Sequence, residues 1–179
     1  TQRQQQLNQL AAWVARLAER QNANFRSTVV LAKQTNGQPP ENWGMPGRDA
    51  GRVLEAEQGA ITGEAGQVVE QLRKLMSANE SMQAKLGPAV ARIESGKLLA
   101  TLSDATAKLR AGGLYSAATA ERSARDTLYA LVQLIAVDDT KAERLQRMID
   151  DVDRALAAQE KLATKLEASK PTDASAAEQ

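Results

Sequence analysis

Histidine and cysteine are both absent from this chain, and those two zeros limit what its other polar residues could do. Without cysteine there are no disulfides, thiolate nucleophiles or zinc–thiolate sites. Without histidine, imidazole general-base catalysis, the Ser-His-Asp arrangement and most transition-metal sites go as well. Carboxylates remain. Asp138-Asp139 and Asp150-Asp151-Asp153 invite a calcium reading, but a loop-type site needs alternating oxygen ligands, a central glycine and a terminal glutamate. Neither cluster has that order, and they read as a helix cap and a solvated helix face. Paired carboxylates for hydrolysis would need a cleft, which thin helical seams rarely make. The sequence therefore assigns no catalytic residue, no metal ligand and no cofactor, and the chain is expected not to be an enzyme.

Amide side chains carry a different chemistry. Gln21, Asn24, Gln58, Asn79 and Gln159 all fall on otherwise apolar helical seams. A polar residue at such a position fixes register and partner choice at a cost in stability. The alternatives are partly solvated seam ends, or the lining of a ligand pocket beside Gln58 or Asn79 in a sensor-type bundle. Gly59, Gly63 and Gly66 form a small-residue stripe on one face of the second helix. Each costs up to about 1 kcal/mol against alanine there, so close approach of another backbone is expected, with a bend as the alternative. Trp43 stands in a proline-rich loop. It is expected to fold back over the end of its own hairpin, the alternative being an exposed anchor for a partner.

The elements that hold these residues are helices. The chain has 179 residues, 42% of them hydrophobic and only 3% aromatic, which excludes an all-β fold. A first helix, about Gln4 to Thr35, places Leu7, Leu10, Val14, Leu17, Gln21, Asn24, Thr28 and Leu31 at alternating three- and four-residue steps. Asn36-Gly37 ends it. A second, about Arg48 to Leu86, carries Leu54, Gln58, Ile61, Ala65, Val68, Leu72, Leu75, Asn79, Met82 and Leu86 on its seam. Gly87-Pro88 is expected to break the chain and start a third helix to about Arg110. Ala111-Gly112-Gly113 reverses the chain into a fourth helix ending near Val137, and a fifth follows over about 138–168. The fold class is thus all-α: an elongated antiparallel helical bundle, or coiled-coil hairpins, of about five helices. Residues 1–168 make one domain, with a hairpin over 4–86 and helices over 88–168, and 169–179 read as a flexible tail or linker. In the hairpin, Leu31 is expected near Leu54, Asn24 near Ile61, Gln21 near Ala65 and Val14 near Leu72.

Charge is balanced at Lys+Arg 23 against Asp+Glu 22, with no basic stripe, so a nucleic-acid partner is not expected. Leu128 to Val137 is about half the length needed to span a bilayer, and no membrane span is expected within this chain. The first residue is Thr1 rather than Met, and the chain reads as a piece of a longer protein or a processed form.

The run Met82, Ala89, Leu98, Leu102, Ala105, Leu109, Gly112, Ala117, Ala120, Ala124 and Leu128 gives helix, short glycine turn, then an alanine-spaced helix. With the seam glutamines, it resembles the long helical Leu/Ala/Gln-rich regions of large uncharacterised membrane-anchored bacterial proteins, over Leu54 to Leu166. That resemblance implies a helical periplasmic or envelope-associated module with no assigned activity. Partners are expected to be another protein, other parts of the parent chain or a second copy. The leading expectation is a non-enzymatic scaffold or protein-interaction module. The alternative is a signalling or sensor bundle that binds a small ligand between helices.

Overall fold

The computed structural model describes residues 2–78 and 80–136, with side chains from Gln4 onward. Asn79, Gln159, the two aspartate clusters, the fifth helix of the sequence reading and the 169–179 tail lie outside the described residues. Within them the fold is all-α, with five helices: α1 (Gln2–Gln34), α2 (Met45–Ser77), α3 (Glu80–Ser95), α4 (Leu98–Arg110) and α5 (Leu114–Ala136).

Hydrophobic spacing explains the elements. All eight seam positions of α1, from Leu7 to Leu31, are buried, as three-four spacing requires of a face turned towards neighbours. Asn36 (φ 50°) and Gly37 (φ 67°) then enter the left-handed region. The amide of Gly37 returns to the carbonyl of Ala32 at 3.0 Å, satisfying a helix-end acceptor. At the other reversal Gly112 (φ 76°) does the same for α4, and the amide of Gly113 reaches the Lys108 carbonyl at 2.9 Å.

Cross-helix bonds fix the directions. Gln21 meets Gln58 and Trp13 meets Glu64, so α1 and α2 are antiparallel. Asn24 meets Glu121 and Glu19 meets Tyr129, so α1 and α5 are antiparallel too. Thr62 with Thr106 and Glu55 with Arg110 set α4 against α2 in the same sense. Helices α3 and α4 both pack on α2 and α5 but touch each other little, so they follow end to end as one arm. The result is an up-down-up-down bundle of four arms in five pieces. Helix α1 packs more extensively on α5 than on α2. Ala117, Ala118, Ala120 and Ala124 of α5 are all buried, and such small side chains let two axes approach.

Three boundaries differ from the sequence reading. Helix α2 begins at Met45 rather than Arg48, because Pro46 occupies the first turn, where a missing N–H is harmless. The second helix stops at Ser77, and Gly87-Pro88 does not break the chain: Pro88 lies inside α3. Pro88 and Ala84 are both exposed, so water can take the Ala84 carbonyl that loses its helical donor. The break falls instead at Gly96-Lys97, where Lys97 adopts φ 47°. A Cβ on Gly96 would meet the Arg92 carbonyl and the Thr127 hydroxyl at 3.0 Å, so any side chain at this close approach to α5 requires its neighbours to give way.

The hairpin register differs as well, by more than the three residues that separate Met45 from Arg48. Gln21 faces Gln58, not Ala65, and Asn24 reaches the backbone of Leu54 rather than Ile61. The slide is about one heptad.

Candidate functional site

Five polar residues come together where the core would otherwise be apolar. On α1, Gln21, Asn24 and Thr28 occupy three successive seam positions. Gln58 comes from α2 and Glu121 from α5, and all five are buried. Gln21 and Gln58 exchange two hydrogen bonds: Nε2 of Gln21 donates to Oε1 of Gln58 at 3.0 Å, and Nε2 of Gln58 donates back at 2.9 Å. Asn24 Nδ2 donates to Gln58 Oε1 (3.1 Å), to the Leu54 carbonyl (3.2 Å) and to Glu121 Oε1 (2.9 Å). The layer separates two apolar clusters. On one side are Leu17, Ile61, Leu102, Leu128 and their neighbours; on the other are Leu31, Ala32, Trp43, Leu54, Leu109, Leu114 and Ala117.

Glu121 was not among the residues that the sequence singled out. Its side chain is fully buried, and burial pushes its carboxyl up to about 7, against the smaller opposing effects of Thr28 and Asn24. Among the described residues no charged side chain contributes to that shift. Oε2 of Glu121 and Oγ1 of Thr28 lack a well-aligned hydrogen-bond partner, although the Thr28 hydroxyl lies beside the carboxyl.

Trp43 folds back over the hairpin end. It is buried, its Nε1 donates to the Gln38 carbonyl at 2.6 Å, and its ring covers Gly47 and Gly51. It closes one pole of the bundle together with Pro40, whose ring occupies the space that a side chain on Gly112 would need.

The glycine stripe corrects the expectation of close packing. Among the described residues, a Cβ on Gly59, Gly63 or Gly66 would meet nothing within 4 Å. The sequence placed Gln21 close to Ala65 and the glycine stripe, but the heptad slide puts Gln58 opposite it, and the stripe turns outward. Neither Gly63 nor Ala60 is buried, and no described neighbour lies within 4 Å of a Cβ on Gly63.

The outer groove between α1 and α2 has three parts. At the loop end a cavity of about 390 Å³ is lined by Arg26, Ser27, Val30, Gln34, Ala50 and Val53, over the buried Leu31 and Leu54. In the middle, Arg20 bridges Glu57 at 2.7 Å and Glu64, and Trp13 Nε1 also donates to Glu64 at 3.3 Å. Hydrogen bonding to Arg20, and then to Trp13, holds the Glu64 carboxyl below its usual range. Towards the far end, Gln6, Leu10, Trp13, Gln71 and Leu75 line a second hollow of about 510 Å³.

No family model, curated protein or solved structure matches the chain. The arrangement itself must therefore carry the functional reading. Among the described residues no group of three or more acidic side chains converges to hold a metal, and no helix is long and apolar enough to cross a membrane. Both the oxygen and the nitrogen of the Gln58 amide are already engaged by protein groups.

Proposed function

We propose that this chain is a non-enzymatic helical scaffold, an interaction module of a larger bacterial, envelope-associated protein, which receives a protein partner along the outer α1–α2 groove. One observation carries the reading. Val30 and Val53 are 52% and 67% exposed, although both line one cavity that also holds the buried Leu31 and Leu54. Scattered exposed valines need no explanation, but two that line one cavity with buried leucines fit a helix-in-groove contact. The Arg20–Glu57–Glu64 bridge supports it by holding the groove walls at fixed separation. The balanced charge leaves recognition to shape and apolar contact rather than long-range attraction.

The test is site-specific photo-crosslinking in the cells that make the parent protein, with the reactive group at position 53 or, on another face, at Leu99. A single predominant adduct from position 53, lost when Val30 is also changed to Glu, is the expected result. Equal labelling from both positions, or none from position 53, would remove the groove from consideration. Turnover of a substrate that vanishes on changing one carboxylate would remove the scaffold reading itself.

A further inference from the structure

The buried carboxyl offers a second, independent reading. Five threonines, Thr35, Thr62, Thr106, Thr119 and Thr127, return their hydroxyl to the carbonyl four residues back. Thr28 does not, and its oxygen stays beside Glu121 without a well-aligned partner. Glu121 Oε1 already accepts from Asn24, while Oε2 has no donor. Either group can donate to the other, Thr28 to a carboxylate or a protonated Oε2 to the Thr28 oxygen, so the cost of burying the charge decides between them.

Among the described residues no cation is placed to neutralise the charge instead. The layer residues facing Glu121 from α1 and α2 are Gln21, Asn24, Thr28 and Gln58, none of them ionisable. The buried positions of α4 are Leu98, Leu102, Ala105 and Leu109, and those of α3 are Met82, Leu86, Ala89 and Ile93. Asp104 and Lys108 of α4 pair with each other, and Arg20 is held by Glu57 and Glu64. Arg125, one turn along α5, pairs with Asp126 and lies over the Phe25 ring.

We infer that Glu121 is held in the folded bundle as the neutral acid, and that its ionisation is a proton-linked switch that loosens α5 from α1 at the polar layer. A carboxylate there has only the neutral donors Asn24 and Thr28 and, among the described residues, no counter-charge, so burying it is costly and favours drawing water in. Glu121 lies on the α1–α5 contact, the most extensive helix pair among the described residues, so water drawn to it parts α5 from α1.

The sign follows from where the proton binds. The carboxyl titrates near 4.5 in the unfolded chain and at about 7 in the fold, so the fold binds the extra proton between those values. Its stability is greatest below the lower value, declines as pH rises, and levels off above the upper one. Glu64 is shifted in the opposite direction, and its contribution falls below this window.

The experiment compares urea unfolding of the full chain and Glu121→Gln from pH 4 to 9. In the wild type the unfolding constant should rise about tenfold per pH unit across the window, on the order of 300-fold in all. Glu121→Gln, which mimics the neutral acid, should lack that rise and exceed the wild type in stability at pH 8. Parallel profiles, or a variant weaker than wild type at pH 8, would overturn the proposal. If the variant does not fold, carbon NMR of the wild-type Glu121 carboxyl decides: a midpoint near 7 supports the switch and one near 4.5 refutes it. Backbone hydrogen exchange over Ala117–Ala124, corrected for intrinsic rate, should show more opening above pH 7 than below. An unchanged opening equilibrium would rule out the loosening.

Discussion

Replacing Gly51 by Ala should have opposite effects depending on whether Trp43 is present. In the wild type a Cβ at Gly51 would lie 2.8 Å from Trp43 Cζ3, with Cε3 and Cη2 at 3.6 and 3.7 Å. Carbon atoms rest at about 3.5–4.0 Å, so one ring atom must retreat by more than half an ångström. The ring cannot simply tilt away, because its Nε1 is bonded to the Gln38 carbonyl. Overpacking of this kind costs about 1–3 kcal/mol, and the gain in helix propensity from Gly to Ala returns only about 1. Gly51→Ala alone should therefore lower stability by about 1 kcal/mol. Trp43→Ala alone should cost about 3–5 kcal/mol, the usual loss for a buried tryptophan. In that background the clash is gone, and adding Gly51→Ala should raise stability by up to about 1 kcal/mol. The coupling across the cycle is then about 2 kcal/mol, well above the scatter expected for independent sites. Urea unfolding followed by far-UV circular dichroism measures all four proteins on one scale. If Gly51→Ala stabilises both backgrounds equally, Trp43 does not sit on this glycine in solution, and the account of the closed pole fails.

The outward glycines give the contrasting expectation: Gly59→Ala, Gly63→Ala and Gly66→Ala should each stabilise by up to about 1 kcal/mol, and Gly63→Leu should melt no lower than Ala60→Leu. A lower melting temperature for Gly63→Leu would mean that a backbone does pack there. Asn24→Ala removes the donor to Glu121 Oε1 and to the Leu54 carbonyl, and should cost about 1–3 kcal/mol in urea unfolding. Because Asn24 favours the charged carboxyl, its loss should also move the Glu121 midpoint above about 7, and an unmoved or lower midpoint in carboxyl NMR would contradict the hydrogen bond.

Much of the bundle was legible because apolar spacing and turn residues act locally. The α1 seam reads directly from Leu7 to Leu31, and Asn36-Gly37 and Ala111-Gly112-Gly113 announce themselves by the backbone conformations they favour. Register was not legible, because apolar seams repeat every seven residues; nor was the start of α2, since Pro46 looks like a breaker while serving as a first-turn residue. Pro88 misled in the opposite way, since a proline inside a helix is tolerated where the freed carbonyl faces water. Lys97 gave no warning, as lysine has no preference for the left-handed region that it occupies. Glu121 did leave a signal. Positions 117, 121, 124, 128, 131 and 135 keep the four-three spacing of α5, and all are buried. A glutamate on that stripe marks a buried charge once the stripe is drawn without skipping it. Gln21 and Gln58 were identifiable as seam amides, but not as each other's partners.

A heptad pattern has a translational ambiguity, since sliding one helix by seven residues again sets apolar side chains opposite apolar side chains. Stability alone discriminates weakly among such slides when the seams are thin. The amide and carboxyl layer removes the ambiguity, because only one alignment lets Gln21, Asn24 and Gln58 satisfy one another. In the alignment one heptad away, Gln21 faces Ala65, and its amide is stranded without water or partner, at about 1–3 kcal/mol. The same logic restricts exchange of arms between molecules. An intruding helix that lacks a matched amide at that level cannot replace α1 or α2 without leaving buried groups unbonded, whereas an identical arm from a second copy can. The layer thus works as a checksum on the assembly, rejecting misaligned or foreign helices that the apolar seam alone would accept.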